Sequence, residues 1–164
     1  MKRIFNLIII CSISTVTFSQ SSVYEKYASA DTLTTPYVDK IDMQINNMIQ
    51  LPEEDWRLCQ FDNLETFDSD FIYNVYGIII INDIKILLIE RKYREESNHW
   101  AVYINEDNKI FSHLNIAYKN SEGFLYIESE IDKDKIKIKE TNDFDDKGYS
   151  ETMYTVTKSG FVKK

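Results

Sequence analysis

The chain has two histidines, His99 and His113. They fall in neighbouring strand-like runs, His99–Asn105 and Lys109–Tyr118, joined by Asn105-Glu106-Asp107-Asn108-Lys109. A three-residue loop with Asn108 left-handed pairs Asn105 with Lys109. That register sets His99 opposite Asn115 and Ala101 opposite His113, so both imidazoles lie diagonally on one sheet face, ~7–8 Å apart at the backbone. Tyr103 and Phe111 oppose each other on the same face. His99, Tyr103, Phe111 and His113 then form an aromatic patch suited to a partner surface or a sugar ring, unless Pro36–Gln50 or another sheet covers it. The opposite face sets Trp100, Val102 and Ile104 against Leu114, Ser112 and Ile110, an apolar match that favours this register. A metal would need a third and a fourth ligand, and nothing fixes Glu95 or Glu96 beside the histidines. No metal and no cofactor are expected.

Other catalytic patterns find little support. Asp143-Phe144-Asp145-Asp146-Lys147-Gly148 invites comparison with a calcium loop. Lys147 and Tyr154 stand where that loop needs an oxygen ligand and a glutamate, so an acidic solvated turn is expected. No serine sits in a Gly-x-Ser-x-Gly elbow. Cys59 has no histidine near it in sequence and reads as a small buried hydrophobe. Glycoside hydrolysis needs a carboxylate pair, but 27 Asp and Glu residues supply chance pairs anywhere, so their presence decides nothing.

The elements that must position these groups begin with an export signal. Lys2 and Arg3 precede an apolar run from Ile4 to Ile10, and Thr17-Phe18-Ser19 places small residues for cleavage after Ser19. Polar Ser12, Ser14 and Thr15 interrupt the run, which argues against a membrane span. Lipid anchoring at Cys11 is the minor alternative, disfavoured by Ile10 immediately before it. Residues 20–164 are expected to form one β-rich domain with a mixed segment over 20–70. In that segment Ser21–Asp31 reads as loose. Val38, Ile41, Ile45, Met48 and Ile49 keep helical spacing after Thr35-Pro36, which predicts one N-terminal helix over Pro36–Gln50. Leu51–Asp70 reads as a long acidic connection anchored by Trp56, Phe61 and Phe67.

From residue 71 onward, runs rich in Ile, Val, Tyr, Phe and Thr alternate with short polar turns. Strands are expected at Tyr76–Ile81, Lys85–Tyr93, His99–Asn105, Lys109–Tyr118, Phe124–Glu130, Lys135–Glu140, Glu151–Thr157 and Phe161–Lys164. Short connections make them an antiparallel meander of about eight strands, either an open curved sheet or a barrel, and the fold class mainly β. A tight turn over Lys133-Asp134 opposes Ile131 and Ile136 and leaves Lys135, Lys137 and Lys139 as a solvated row. A left-handed Gly160 in the last turn places Tyr154 and Val156 on one face with Val162. The run His99-Trp100-Ala101-Val102-Tyr103-Ile104, the following turn, Ile131, Ile136, Tyr154 and Gly160-Phe161-Val162 resemble small exported bacterial β-meander proteins of unknown function. The resemblance implies an exported all-β module and assigns no functional residue.

Charge narrows the partner class. With 19 basic and 27 acidic residues the net charge is −8. Loss of Lys2 and Arg3 with the signal leaves 17 against 27, or −10. That balance argues against nucleic acid, which needs a basic face. The expectation is a periplasmic or extracellular non-catalytic module that binds a basic protein, as an immunity or inhibitor protein would. The alternatives are a carboxylate-based glycan hydrolase of the envelope and a structural surface protein.

Overall fold

The computed structural model describes residues 23–64, 67–94, 96–105, 111–120, 122–143 and 148–164, with Phe111 described by its backbone. The expected signal over 1–19, Cys11, and residues 144–147 of the acidic turn lie outside them. Among the described residues, two short α-helices, α1 (Val23–Lys26) and α2 (Glu53–Leu58), accompany eleven strands. These are β1 (Thr32–Leu33), β2 (Tyr37–Asp39), β3 (Ile49–Gln50), β4 (Ile72–Ile81), β5 (Ile84–Tyr93), β6 (Glu96–Ile104), β7 (Phe111–Lys119), β8 (Leu125–Asp132), β9 (Lys135–Asn142), β10 (Tyr149–Thr157) and β11 (Gly160–Lys163). Among the described residues, no helix is long and apolar enough to cross a membrane.

The fold is mainly β, and the eight expected strands are β4–β11, with ends displaced by a few residues. They pair in sequence order as an antiparallel meander, with β1 parallel to β4 at its head; the sheet is open. The count is eleven rather than about eight because three short strands come from the N-terminal segment. Asn82 and Asp83, at φ 48° and 66°, turn β4 into β5 as a two-residue hairpin needs. Ile131 opposes Ile136 as expected, with both buried and Lys135 and Lys139 exposed.

The expected helix over Pro36–Gln50 is not formed. Tyr37–Asp39 pairs with β8 as β2, and Ile49–Gln50 pairs with β4 as β3. Val38, Ile41, Ile45 and Ile49 are β-branched and gain little from a helix, and two strand edges stood open to them. Their spacing reflects burial by different surfaces: Ile45 packs on one core and Ile49 on the other. Ser21–Asp31 is also tighter than its polarity suggests within its described part. Val23, Tyr24, Tyr27 and Ala30 are buried, and the Tyr24 hydroxyl donates to the Lys85 carbonyl at 2.6 Å.

Two registers differ from expectation by one residue, and by two at His99, which faces Ala117 rather than Asn115. Across β6 and β7, Ala101 faces Leu114, Val102 faces His113 and Ile104 faces Phe111. Across β10 and β11, Val156 faces Phe161, so Val162 points away from the core and is 48% exposed. Because side chains alternate, a slip of one residue moves a whole set to the other face.

The meander folds over on itself. Strands β7 and β8 pair at Tyr118↔Ile127 and Lys119↔Tyr126 and then part, and β2 takes the vacated place beside β8. Strand β11 returns to β7: the Phe161 N–H donates to Ser112 Oγ at 3.2 Å, and a Cβ on Gly160 (φ +106°) would lie 2.6 Å from Ser112 Cβ. A core of Ile79, Ile86, Leu88, Ile116, Ile131, Ile136 and Val156 fills the fold. The other face of β4–β6 is covered by the N-terminal segment, whose Trp56, Cys59 and Phe61 pack on Tyr73, Val75, Leu87, Ile89 and Val102. Burial on both faces explains why Ile86-Leu87-Leu88-Ile89 is continuously apolar instead of alternating.

Candidate functional site

The sheet separates the two histidines. His99 points into the core between the folded halves of the meander. His113 points to the opposite face, under the N-terminal layer, with Phe61 at 5.2 Å and Trp100 at 6.4 Å between ring centroids. His113 Nε2 donates to the Cys59 carbonyl, and burial holds its pKa below the ordinary histidine value. Tyr103 shares the His99 side, where its hydroxyl donates to the Lys158 carbonyl at 2.9 Å. Phe111 faces Ile104, not Tyr103. The expected patch of His99, Tyr103, Phe111 and His113 is therefore not assembled on one face.

The structure assembles a different set around His99. Asp39 of β2 is fully buried, His99 is 2% exposed and Tyr76 is 3% exposed. Asp39 Oδ1 lies 2.5 Å from His99 Nδ1, and the Tyr76 hydroxyl donates to Asp39 Oδ2. A carboxylate only accepts, so Nδ1 carries the hydrogen. Tyr37, two residues before Asp39, is held near the same carboxylate. Burial and the Asp39 charge push the Tyr76 and Tyr37 hydroxyls well above the ordinary tyrosine pKa, so both remain donors.

Two irregularities aim these groups. The β4–β5 register shifts between Val75 and Gly77, leaving Tyr76 as the extra residue. The β6–β7 register shifts between His99 and Trp100, opposite the extra residue Ile116. Each bulge twists its strand and redirects a side chain, as bulges beside functional groups do. Glu90 stands opposite His99 on β5, where Ser97 Oγ donates to it at 2.7 Å and Asn74 Nδ2 at 3.2 Å. Asp39, His99 and Tyr76 are closed to solvent, and both Asp39 oxygens are bonded, so in the closed fold they act as polar packing that fixes β2 on the sheet. Among the described residues, no group of three His, Cys, Asp or Glu side chains converges to hold a metal.

Cys59 is fully buried, as its reading as a hydrophobe requires, and burial pushes its thiol up to about 12. It should resist a thiol-specific disulfide reagent in native protein at neutral pH and react stoichiometrically once denatured. Rapid native labelling would show that the N-terminal layer does not stay closed.

Sequence reasoning misses Asp39 and Tyr76, and it reads Glu90-Arg91 as the wet face of a sheet, whereas both are buried. A signal was present for part of it: Asn74 and Tyr76 are polar positions inside the largely apolar run from Phe71 to Ile81. On the outer surface, acidic charge is unevenly spread. Between residues 51 and 70 the described residues expose Glu53, Glu54, Asp62, Asp68 and Asp70 against Arg57, which pairs with Glu53 at 2.7 Å and approaches Asp62 at 3.7 Å. On the outer face of β8–β10, by contrast, Lys135, Lys137 and Lys139 stand opposite Asp132, Glu130 and Glu128. No protein family, curated protein or solved structure matches the chain.

Proposed function

We propose that the protein is an exported, non-catalytic binding module that takes a basic macromolecular partner on its acidic N-terminal layer, in the manner of an immunity or inhibitor protein. The observation that carries the reading is the excess of exposed carboxylates over 51–70, set against the nearly balanced β8–β10 face. Such a field raises the encounter rate with a basic surface and fades with salt. The signal-like N-terminus supports export. The groups best suited to chemistry, Asp39, His99 and Tyr76, are buried among themselves, which supports a role outside catalysis. A hydrolase reading has one feature in its favour, that Asp39 and Glu90 both flank His99, but in the closed fold neither carboxylate reaches solvent-borne substrate.

Immobilised protein exposed to an envelope extract at low salt should retain basic proteins and release them as salt rises through a few tenths molar, where screening becomes short-ranged. Recovery of nothing basic would sink the reading.

A further inference from the structure

We propose that β2 is a strap that opens and closes as a unit over a strand slot on β8, and that Tyr76 and His99 make this slot specific for an extended segment bearing a carboxylate. This goes beyond the binding reading and does not depend on it.

Strand β2 is held by partial apolar burial at the rim of the core, where Tyr37 and the flanking Leu33 and Ile45 pack against it. Of its three residues, Val38 is 51% exposed, Tyr37 is partly buried and Asp39 alone is fully buried. Its neighbours on the C-terminal side, Lys40, Asp42, Gln44, Asn46 and Asn47, are exposed. Its backbone partner is the Ser129–Ile131 stretch of β8, from which β7 has already diverged. Segments with few apolar contacts open at a fraction of the global free energy. The anchor itself favours reversibility: an undocked Asp39 recovers its hydration, whereas an undocked apolar strand does not.

The receptor stays behind when the strap leaves. Tyr76 and His99 belong to β4 and β6, on either side of central β5, and the two bulges that orient them do not involve β2. They present two donors beside the open β8 edge. An incoming strand gains main-chain bonds from β8, and only one with a correctly placed carboxylate also satisfies both donors.

Native-state hydrogen exchange on the full chain tests the opening. The Tyr37–Asp39 and Ser129–Ile131 segments should exchange together, through an opening that leaves Ile86–Ile89 and Ala101–Ile104 protected. Asp39→Asn should accelerate both segments by about tenfold or more, the scale set by losing a charge-assisted bond, without accelerating the central strands. Exchange of both segments only in step with the central strands would overturn the strap. Recognition is tested by adding a synthetic peptide of Thr34–Lys40 to the Asp39→Asn protein. The peptide should restore protection at Ser129–Ile131, and its counterpart carrying Asn in place of Asp39 should not. Protection by both peptides, or by neither, would overturn the carboxylate specificity. Should the variant not fold, exchange in the wild-type chain, with and without excess peptide, decides both points.

Discussion

Phe61→Ala should lower the unfolding free energy by about 3–5 kcal/mol, the usual cost of truncating a fully buried aromatic side chain. Phe61 is fully buried in a 3₁₀ turn just after Gln60, which is left-handed at φ 58°. Its ring stacks on Tyr73 at 4.8 Å and meets Trp100 edge-on at 6.1 Å. It is the point where the acidic layer grips the sheet, so the loss should be read both in denaturant midpoint and in loss of basic-partner capture. Trp56 and Trp100 lie in or against the same cluster and report the transition by fluorescence. A loss below about 1 kcal/mol would mean that the layer is not seated through this ring.

Asp39→Ala should cost about 3 kcal/mol, at the low end of the range for removing one partner of a buried pair. The variant leaves the His99 imidazole and the Tyr76 hydroxyl facing a buried position with no acceptor. Release of β2 limits the penalty, because water then reaches both groups. The pairing is separated from simple truncation by a double-mutant cycle with His99→Ala: the double variant should be more stable than the sum of the single losses predicts, by about 1 kcal/mol or more. Strict additivity in chemical denaturation would show that Asp39 and His99 are neighbours without energetic coupling.

Much of the meander was legible because each strand from Ile72 to Lys163 carries its own signature: apolar and β-branched residues bounded by turn residues such as Asn82-Asp83 and Lys133-Asp134. The Ile131↔Ile136 hairpin could be read closely because a tight turn leaves one apolar register. The β6–β7 hairpin could not. Its apolar match favours a register other than the one formed: Trp100 faces Asn115 and Val102 faces His113, because the N-terminal layer supplies the apolar partners that β7 does not. An adjacent bulge at Ile116 compounds the error, and one residue of slip is enough to send two histidines to opposite faces. The N-terminal strands were illegible for another reason. Two or three residues carry no period, and Tyr37–Asp39 is a strand only because β8 offers an edge some ninety positions away. Asp39 therefore looked like an ordinary polar residue on a helix, although the fold makes it the carboxylate on which the buried network turns.

The most direct measurement is the carbethoxylation rate of His99 in native protein, followed residue by residue by mass spectrometry. A sealed network predicts a rate suppressed about a hundredfold or more relative to an unstructured histidine peptide, equivalent to an opening cost of about 3 kcal/mol. Modification of His99 at the rate of the free peptide would mean that Asp39, His99 and Tyr76 stand open to solvent. It would contradict the packing role argued for them and favour the alternative reading of a hydrolase.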